Sequence, residues 1–179
     1  MELSFAEYQP ADAEMLIHWL TSDTWPYDPE PQLDPERVRR SLEAGKYSAS
    51  DQKTFWIQLE SGERVGLLRF NRFEEIGQEV LEIGIRICTP YRGKGIGVQA
   101  VTWFSDYIFR TVLEIQRIEG FTRADNWPMR RTFRRCGYAK EAHFRKGWFD
   151  GQHDKIGYAL LREDWERGEL TPVPWNDEL

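Results

Sequence analysis

The chain has 179 residues and a mass of 21.2 kDa, enough for one domain with a sizeable core. Hydrophobic residues make up 40% and charged residues 30%, the balance of a globular chain and not of a disordered one. A formal net charge of -6 and a pI of about 5.2 disfavour a nucleic acid partner, whose phosphates such a chain repels.

No apolar run approaches membrane-spanning length, and "MELSFAEYQP" lacks the basic, apolar pattern of a leader, so a soluble cytoplasmic protein is expected. Cys88 and Cys136 form no pairing framework, and His18, His143 and His153 are too scattered to suggest a metal. With 8 Trp, some rings are expected to line a cleft.

In chain order, "ELSFAEY" alternates like a strand, and "ADAEMLIHWL" carries Ala13, Leu16, Trp19 and Leu20 at helical spacing. The Pro-rich stretch from Thr24 to Pro35 predicts an irregular loop. A second helix follows, with Asp34 as N-cap, Pro35 in its first turn and Gly45 as its stop. "TFWIQLE" and "RVGLLRF" read as a hairpin joined at residues 61 to 63. In "VLEIGIRI", Leu81, Ile83, Ile85 and Ile87 face one way, and Val80, Glu82, Gly84 and Arg86 face the other.

A glycine turn comes next, then a helix striped by Ala100, Val101, Phe104, Ile108 and Val112. "QRIEGFT" is a further strand, and "WPMRRTFRRCG" a short helix between Pro128 and Gly137. "YAKEAHF" and "DKIGYALL" form a final hairpin. The expected fold is a single α/β (α+β) domain over residues 1–179, built on one mixed sheet.

The turn "TPYRGKGIGVQA" carries the chemistry. Three glycines between a strand and a helix serve either a tight turn or the close approach of a ligand. The amides that open a helix lack internal partners and favour an anion. A Walker loop is excluded because Gly95 follows Lys94, and a dinucleotide fingerprint because its last glycine would fall on Val98. Arg92-Gly93-Lys94-Gly95-Ile96-Gly97 instead fits Arg/Gln-x-x-Gly-x-Gly/Ala. That pattern resembles the pyrophosphate-binding motif of the GNAT superfamily of acetyl-CoA-dependent N-acetyltransferases. "NWPMRRTFRRCGY" and "FRKGWFDGQHDKIGYALLREDW" extend the likeness to the ribosomal-protein alanine acetyltransferase (RimJ/RimL-like) branch.

The resemblance implies a mostly antiparallel sheet flanked by helices, with acyl-CoA in a cleft between splayed strands. It implies direct acetyl transfer from acetyl-CoA to a primary amine: a peptide N-terminus, an aminoglycoside, a polyamine or another small cationic amine. No metal is implied, and no membrane, nucleic acid or particular oligomer. By the same resemblance, backbone amides from Gly93 through Lys94, Gly95 and Ile96 to Gly97 hold the pyrophosphate, with Arg92 at the entrance. Main-chain groups at Ile87, Cys88 and Thr89 bond the pantetheine arm, and the Cys88 amide faces the thioester carbonyl as oxyanion donor. Asn126 bonds the arm, and Arg131 meets the phosphates; Arg134 and Arg135 are as readily a solvated helical face.

Glu82 interrupts an apolar strand beside a glycine and is the expected general base, with Glu79 as a weaker competitor. Phe133 stands where many GNAT enzymes carry a proton-donating tyrosine, which leaves Tyr138 and Tyr158 as candidates for the acid. The loop bearing Trp25, Tyr27 and Asp28 is expected to receive a cationic acceptor. Two other readings stay open: a catalytically silent acyl-CoA sensor or interaction module on the same fold, and RNA binding through the arginine-rich helix.

Overall fold

The structure, a computed structural model, describes residues 2–47, 49, 52–75 and 78–175, with backbone alone for 72–75 and 78–80. Its strands are β1 (Leu3–Glu7), β2 (Gln52–Leu59), β3 (Arg64–Glu75), β4 (Gln78–Ile87), β5 (Arg117–Arg123), β6 (Ala139–Phe144) and β7 (Lys155–Leu161). Its helices are α1 (Ala13–Thr21), α2 (Pro35–Glu43), α3 (Ile96–Thr111), α4 (Trp127–Arg135) and α5 (Arg162–Arg167). The sheet runs β1-β2-β3-β4-β5-β7-β6 and is mostly antiparallel, with β4 and β5 parallel. Among the described residues no helix is long and apolar enough to cross a membrane.

The chain divides into two compact units. The first comprises Met1–Arg72 with Ile83–Ala100. Here α1 lays Leu16, Ile17, Trp19 and Leu20 against Trp56 of β2 and Leu67 of β3, and α2 adds Val38. Asp34 caps α2 by accepting from the Arg37 amide at 2.9 Å, and Pro35 begins the helix as its spacing predicts. Trp25 is only 4% exposed, tilts against Trp19 with ring centroids 5.1 Å apart and donates its indole N–H to the Leu20 carbonyl. Trp19, Trp25 and Trp56 thus build the core of this unit. Each such burial contributes on the order of 2–3 kcal/mol.

The second unit comprises Phe73–Glu82 with Val101–Leu179. Phe104, Ile108 and Phe109 of α3 are buried, as are Ile118 of β5, Phe133 of α4, and Ile156 and Leu160 of β7. Gly120 of β5 makes room for the Phe133 ring, whose Cζ lies 2.1 Å from where a Cβ would stand. That ring stacks on Tyr158 at 5.1 Å and tilts against Tyr138 at 5.2 Å. Two features lie outside the sequence reading. β3 runs on to Glu75, and the short α5 follows the final hairpin.

Candidate functional site

In the first unit, β4 ends in a single 3-10 turn over Thr89–Tyr91 and the chain then enters the glycine turn. Gly93 and Gly95 hold φ of 76° and 83°, the left-handed region that favours glycine. Nothing lies within 4 Å of where a Cβ would stand at either position, so the turn leaves open space beside its backbone. α3 starts at Ile96, whose buried side chain seats the helix, and the Gln99 amide bonds back to the Gly95 carbonyl. Lys94 holds its ammonium 5.3 Å over the Tyr91 ring. A pyrophosphate fits such a cradle: glycine backbone, open space and the positive end of a helix.

Arg92, at the entrance of the turn, has partners of its own. Its Nε donates to the Ile87 carbonyl at 2.8 Å and a terminal nitrogen to the Thr24 carbonyl at 2.6 Å. The guanidinium also lies 5.5 Å over Trp25 and 3.8 Å from Asp23. It straps the loop before α2 to the end of β4. Asp23 adds a second strap, accepting the Thr89 amide and hydroxyl, each at 2.6 Å. Burial pushes the Asp23 carboxyl up, but these bonds, the Thr24 amide and the Arg92 charge outweigh it and hold the group below the usual carboxylate range.

The Cys88 amide donates to the Val65 carbonyl at 2.9 Å. As an oxyanion donor it is therefore already engaged, and that expectation is corrected. Burial pushes the Cys88 thiol up to about 11, so it is a neutral thiol and no nucleophile. The acceptor loop carries partners of its own. Asp28 pairs with Arg86 of β4 through both Nε and a terminal nitrogen, and the Arg86 and Arg92 guanidinium groups both lie over the buried Trp25 ring. Both bonds fall on Oδ2 of Asp28, so the chain's own arginines hold one oxygen of that carboxylate and lie over the ring beside it. Tyr27 is half-buried in the same loop.

In the second unit, β4 pairs in parallel with β5 from Val80 opposite Arg117 to Glu82 opposite Glu119. Glu82 is half-buried and follows the buried Leu81. The Glu79 side chain lies outside the described residues. Asn126 caps α4, its Oδ1 accepting from the Met129 amide at 3.2 Å, which leaves its side-chain NH2 as the donor. Arg131, Arg134 and Arg135 are exposed on α4. Arg130 instead bonds the Ala124 carbonyl and the Tyr158 hydroxyl and lies 4.1 Å over Trp127.

Both tyrosines considered for the acid are buried. Tyr138 shares a 2.9 Å hydrogen bond with Ser105, and burial pushes its hydroxyl far above its ordinary value. It is no proton donor to a ligand. Tyr158 accepts from Arg130 beside the Phe133 ring. Sequence reasoning missed Arg117, Glu119 and Phe121, although the alternation that placed Glu82 on β4 marks them on one face of β5, where burial likewise alternates.

Residues 2–139 match the family described as acetyltransferase (GNAT) domain. The chain is 28% identical over 110 residues to YdaF of Bacillus subtilis (strain 168), named a ribosomal N-acetyltransferase, a match covering 60% of this chain and 59% of that one. A second protein of that organism, the N-acetyltransferase YnaD, is 27% identical over 52% of this chain and 55% of its own length. The chain thus spans less than two thirds of the curated relatives it matches. Among solved structures, a chimera of spermidine N-acetyltransferase SpeG from Vibrio cholerae and hSSAT superposes with a TM-score of 0.77. It is 20% identical and the match covers 93% of this chain and 99% of that one. RimL, the ribosomal L7/L12 alpha-N-protein acetyltransferase in complex with coenzyme A, gives a TM-score of 0.76 at 20% identity over 89% and 93%. At these identities the likeness shows the fold.

Proposed function

The chain belongs to the GNAT acetyltransferase family, and on that premise we propose that it transfers an acetyl group from acetyl-CoA directly to a primary amine. The observation that carries this reading is the glycine turn: two left-handed glycines with open space beside them at the head of α3. Amides from Gly93 to Gly97 hold the pyrophosphate, and the exposed Arg131 meets a phosphate. The NH2 group of Asn126 bonds the pantetheine arm.

Acetyl-CoA supplies an activated thioester, so the chain itself needs no nucleophile, in keeping with a Cys88 thiol pushed up to about 11. Glu82 takes a proton from the acceptor's ammonium group, and the neutral amine then attacks the thioester carbon. A departing thiolate has an ordinary pKa of about 8.5, so the need for an acid is modest at neutral pH. The acceptor is a polyamine, another small amine or a protein N-terminus; the names of SpeG, YdaF and RimL support that range.

Release of free thiol from acetyl-CoA, measured against amines and N-terminal peptides, tests the reading. Turnover with at least one amine is expected. The buried Phe133 in place of a proton donor favours a second reading, a silent acyl-CoA-binding module. Cofactor-induced stabilisation with no thiol release on any amine would establish that alternative.

A further inference from the structure

A cavity of about 280 Å3 opens on the second unit, lined by Arg117, Glu119 and Phe121 of β5, Glu141 and Phe144 of β6, and Gly157 of β7. Arg117 organises it, donating from Nε to Glu119 Oε1 at 2.6 Å and from a terminal nitrogen to Glu141 Oε2. One oxygen of each carboxylate is thereby fixed. The second oxygen of each makes no hydrogen bond among the described residues. Burial pulls the Arg117 pKa down, but the bonds to Glu141 and Glu119 outweigh it and raise it. Two carboxylates thus share one guanidinium, with the Lys155 ammonium over the neighbouring rings.

The backbone is also shaped around this space. The register of β6 on β7 shifts between Lys140 and Ala142, so Glu141 is the extra residue of a β-bulge, a device that re-aims a side chain. Gly157 stands opposite both Phe121 and Ala142. A Cβ there would lie 3.1 Å from the Phe121 ring and 3.2 Å from the Ala142 methyl, so glycine leaves that space clear. Phe121 and Phe144 form an aromatic wall with centroids 6.5 Å apart, and the Lys155 ammonium already lies 4.6 and 4.8 Å over them. These rings hold a cation. Glu82 is registered opposite Glu119, which places both on one face of the sheet.

We propose that this cavity is a subsite for a second cationic group of the acceptor, one that is not acetylated. An ammonium or guanidinium group bonds the second oxygens of Glu119 and Glu141 and rests beside the Phe121 and Phe144 rings. The volume is just below the ~300 Å3 at which sites for whole small molecules begin, which suits one arm of an acceptor. The inference rests on the acetyl-transfer reading, with Glu82 receiving the proton of the reacting amine. It narrows the acceptors to diamines, longer polyamines, or N-termini followed by a basic side chain.

The test compares 1,4-diaminobutane and its homologues up to six carbons with n-butylamine, in wild type, Glu141→Gln and Phe144→Leu. Wild type should favour the best diamine in kcat/KM by about tenfold, the discrimination one charge-assisted bond supplies. Glu141→Gln should remove most of that preference, chiefly through KM. Phe144→Leu, at an exposed position, should lower it about threefold and carries the test should Glu141→Gln not fold. A wild-type preference for butylamine, or a preference that neither variant moves, overturns the subsite and leaves acetyl transfer standing. Should no amine turn over, melting temperatures decide. Stabilisation by the diamine beyond that by butylamine, reduced in Glu141→Gln, supports the subsite without the activity, and equal stabilisation overturns it.

Discussion

Asp23 grips Thr89 with both carboxylate oxygens, one on its amide and one on its hydroxyl, across 66 residues of chain. Those bonds tie the loop before α2 to the end of β4. Because they hold the folded pKa below the unfolded one, their stabilisation is fully present above about pH 4 and is lost as pH falls through the lower, folded value. Asp23→Asn should cost about 2 kcal/mol at neutral pH, the scale of hydrogen bonds to a charged group. The variant's acid melting curve should also be flatter than that of wild type. Parallel curves below pH 4 would show that the carboxylate charge contributes nothing.

Acetyl-CoA should raise the melting temperature by mass action, since only the folded chain holds it. Gly95→Asp places a carboxylate in the open space beside the turn and also strains a residue at φ 83°. It should abolish the shift, as should Gly97→Asp in the first turn of α3. Full stabilisation of both variants by acetyl-CoA would make the turn purely structural.

Glu82→Gln should lower turnover at neutral pH by at least tenfold, within the ~10² to 10⁴ range of general-base contributions or just below it, while acetyl-CoA still binds. The defect should shrink as pH rises, because more of the amine then arrives neutral. A pH–rate profile with one good amine checks this. Matching profiles for the two proteins would remove Glu82 from the reaction and point to a water relay.

Restoring a tyrosine at residue 133 should not restore an acid. The Phe133 ring tip abuts Gly120, and the side chain is 1% exposed between Tyr138 and Tyr158. Phe133→Tyr adds a hydroxyl to a filled space and should cost about 1–3 kcal/mol with no gain in kcat. Faster turnover would place the new hydroxyl beside the leaving thiolate.

Arg162 closes the end of α3 by donating to the Phe109, Val112 and Ile115 carbonyls, at 2.8, 2.8 and 2.9 Å. Arg162→Ala leaves three carbonyls without that partner and should cost about 3 kcal/mol in denaturant unfolding. Arg162→Lys should recover only part, since an ammonium cannot reproduce the fork. Complete recovery in the lysine variant would mean that charge alone matters.

The frame of the fold was legible because caps and periodicity act locally: Asp34 and Pro35 open α2, and alternation marks β4. The glycine turn ahead of α3 was legible for the same reason, as its glycines lie close together in sequence. The side-chain partners were not. Nothing near Arg92 in sequence indicates that its guanidinium reaches Thr24, or that Arg86 neutralises Asp28, 58 residues away. Likewise the Cys88 amide is engaged by Val65 of another strand, a fact of register and not of composition. Glu141 escaped notice because a one-residue bulge breaks the alternation by which a strand's faces are read.

That same bulge makes one side chain separable from the rest of the domain. β6 is the last strand of the sheet, and its pairs on either side of Glu141 are complete: Lys140 with Tyr158, then Ala142 with Gly157. Deleting Glu141 alone keeps every one of those pairs and both sheet faces, yet takes a carboxylate out of the cavity. A lineage carrying this domain can therefore gain or shed an acceptor-side charge through a single-codon insertion or deletion. Its core sequence need not change, which gives selectivity a route to drift faster than the fold.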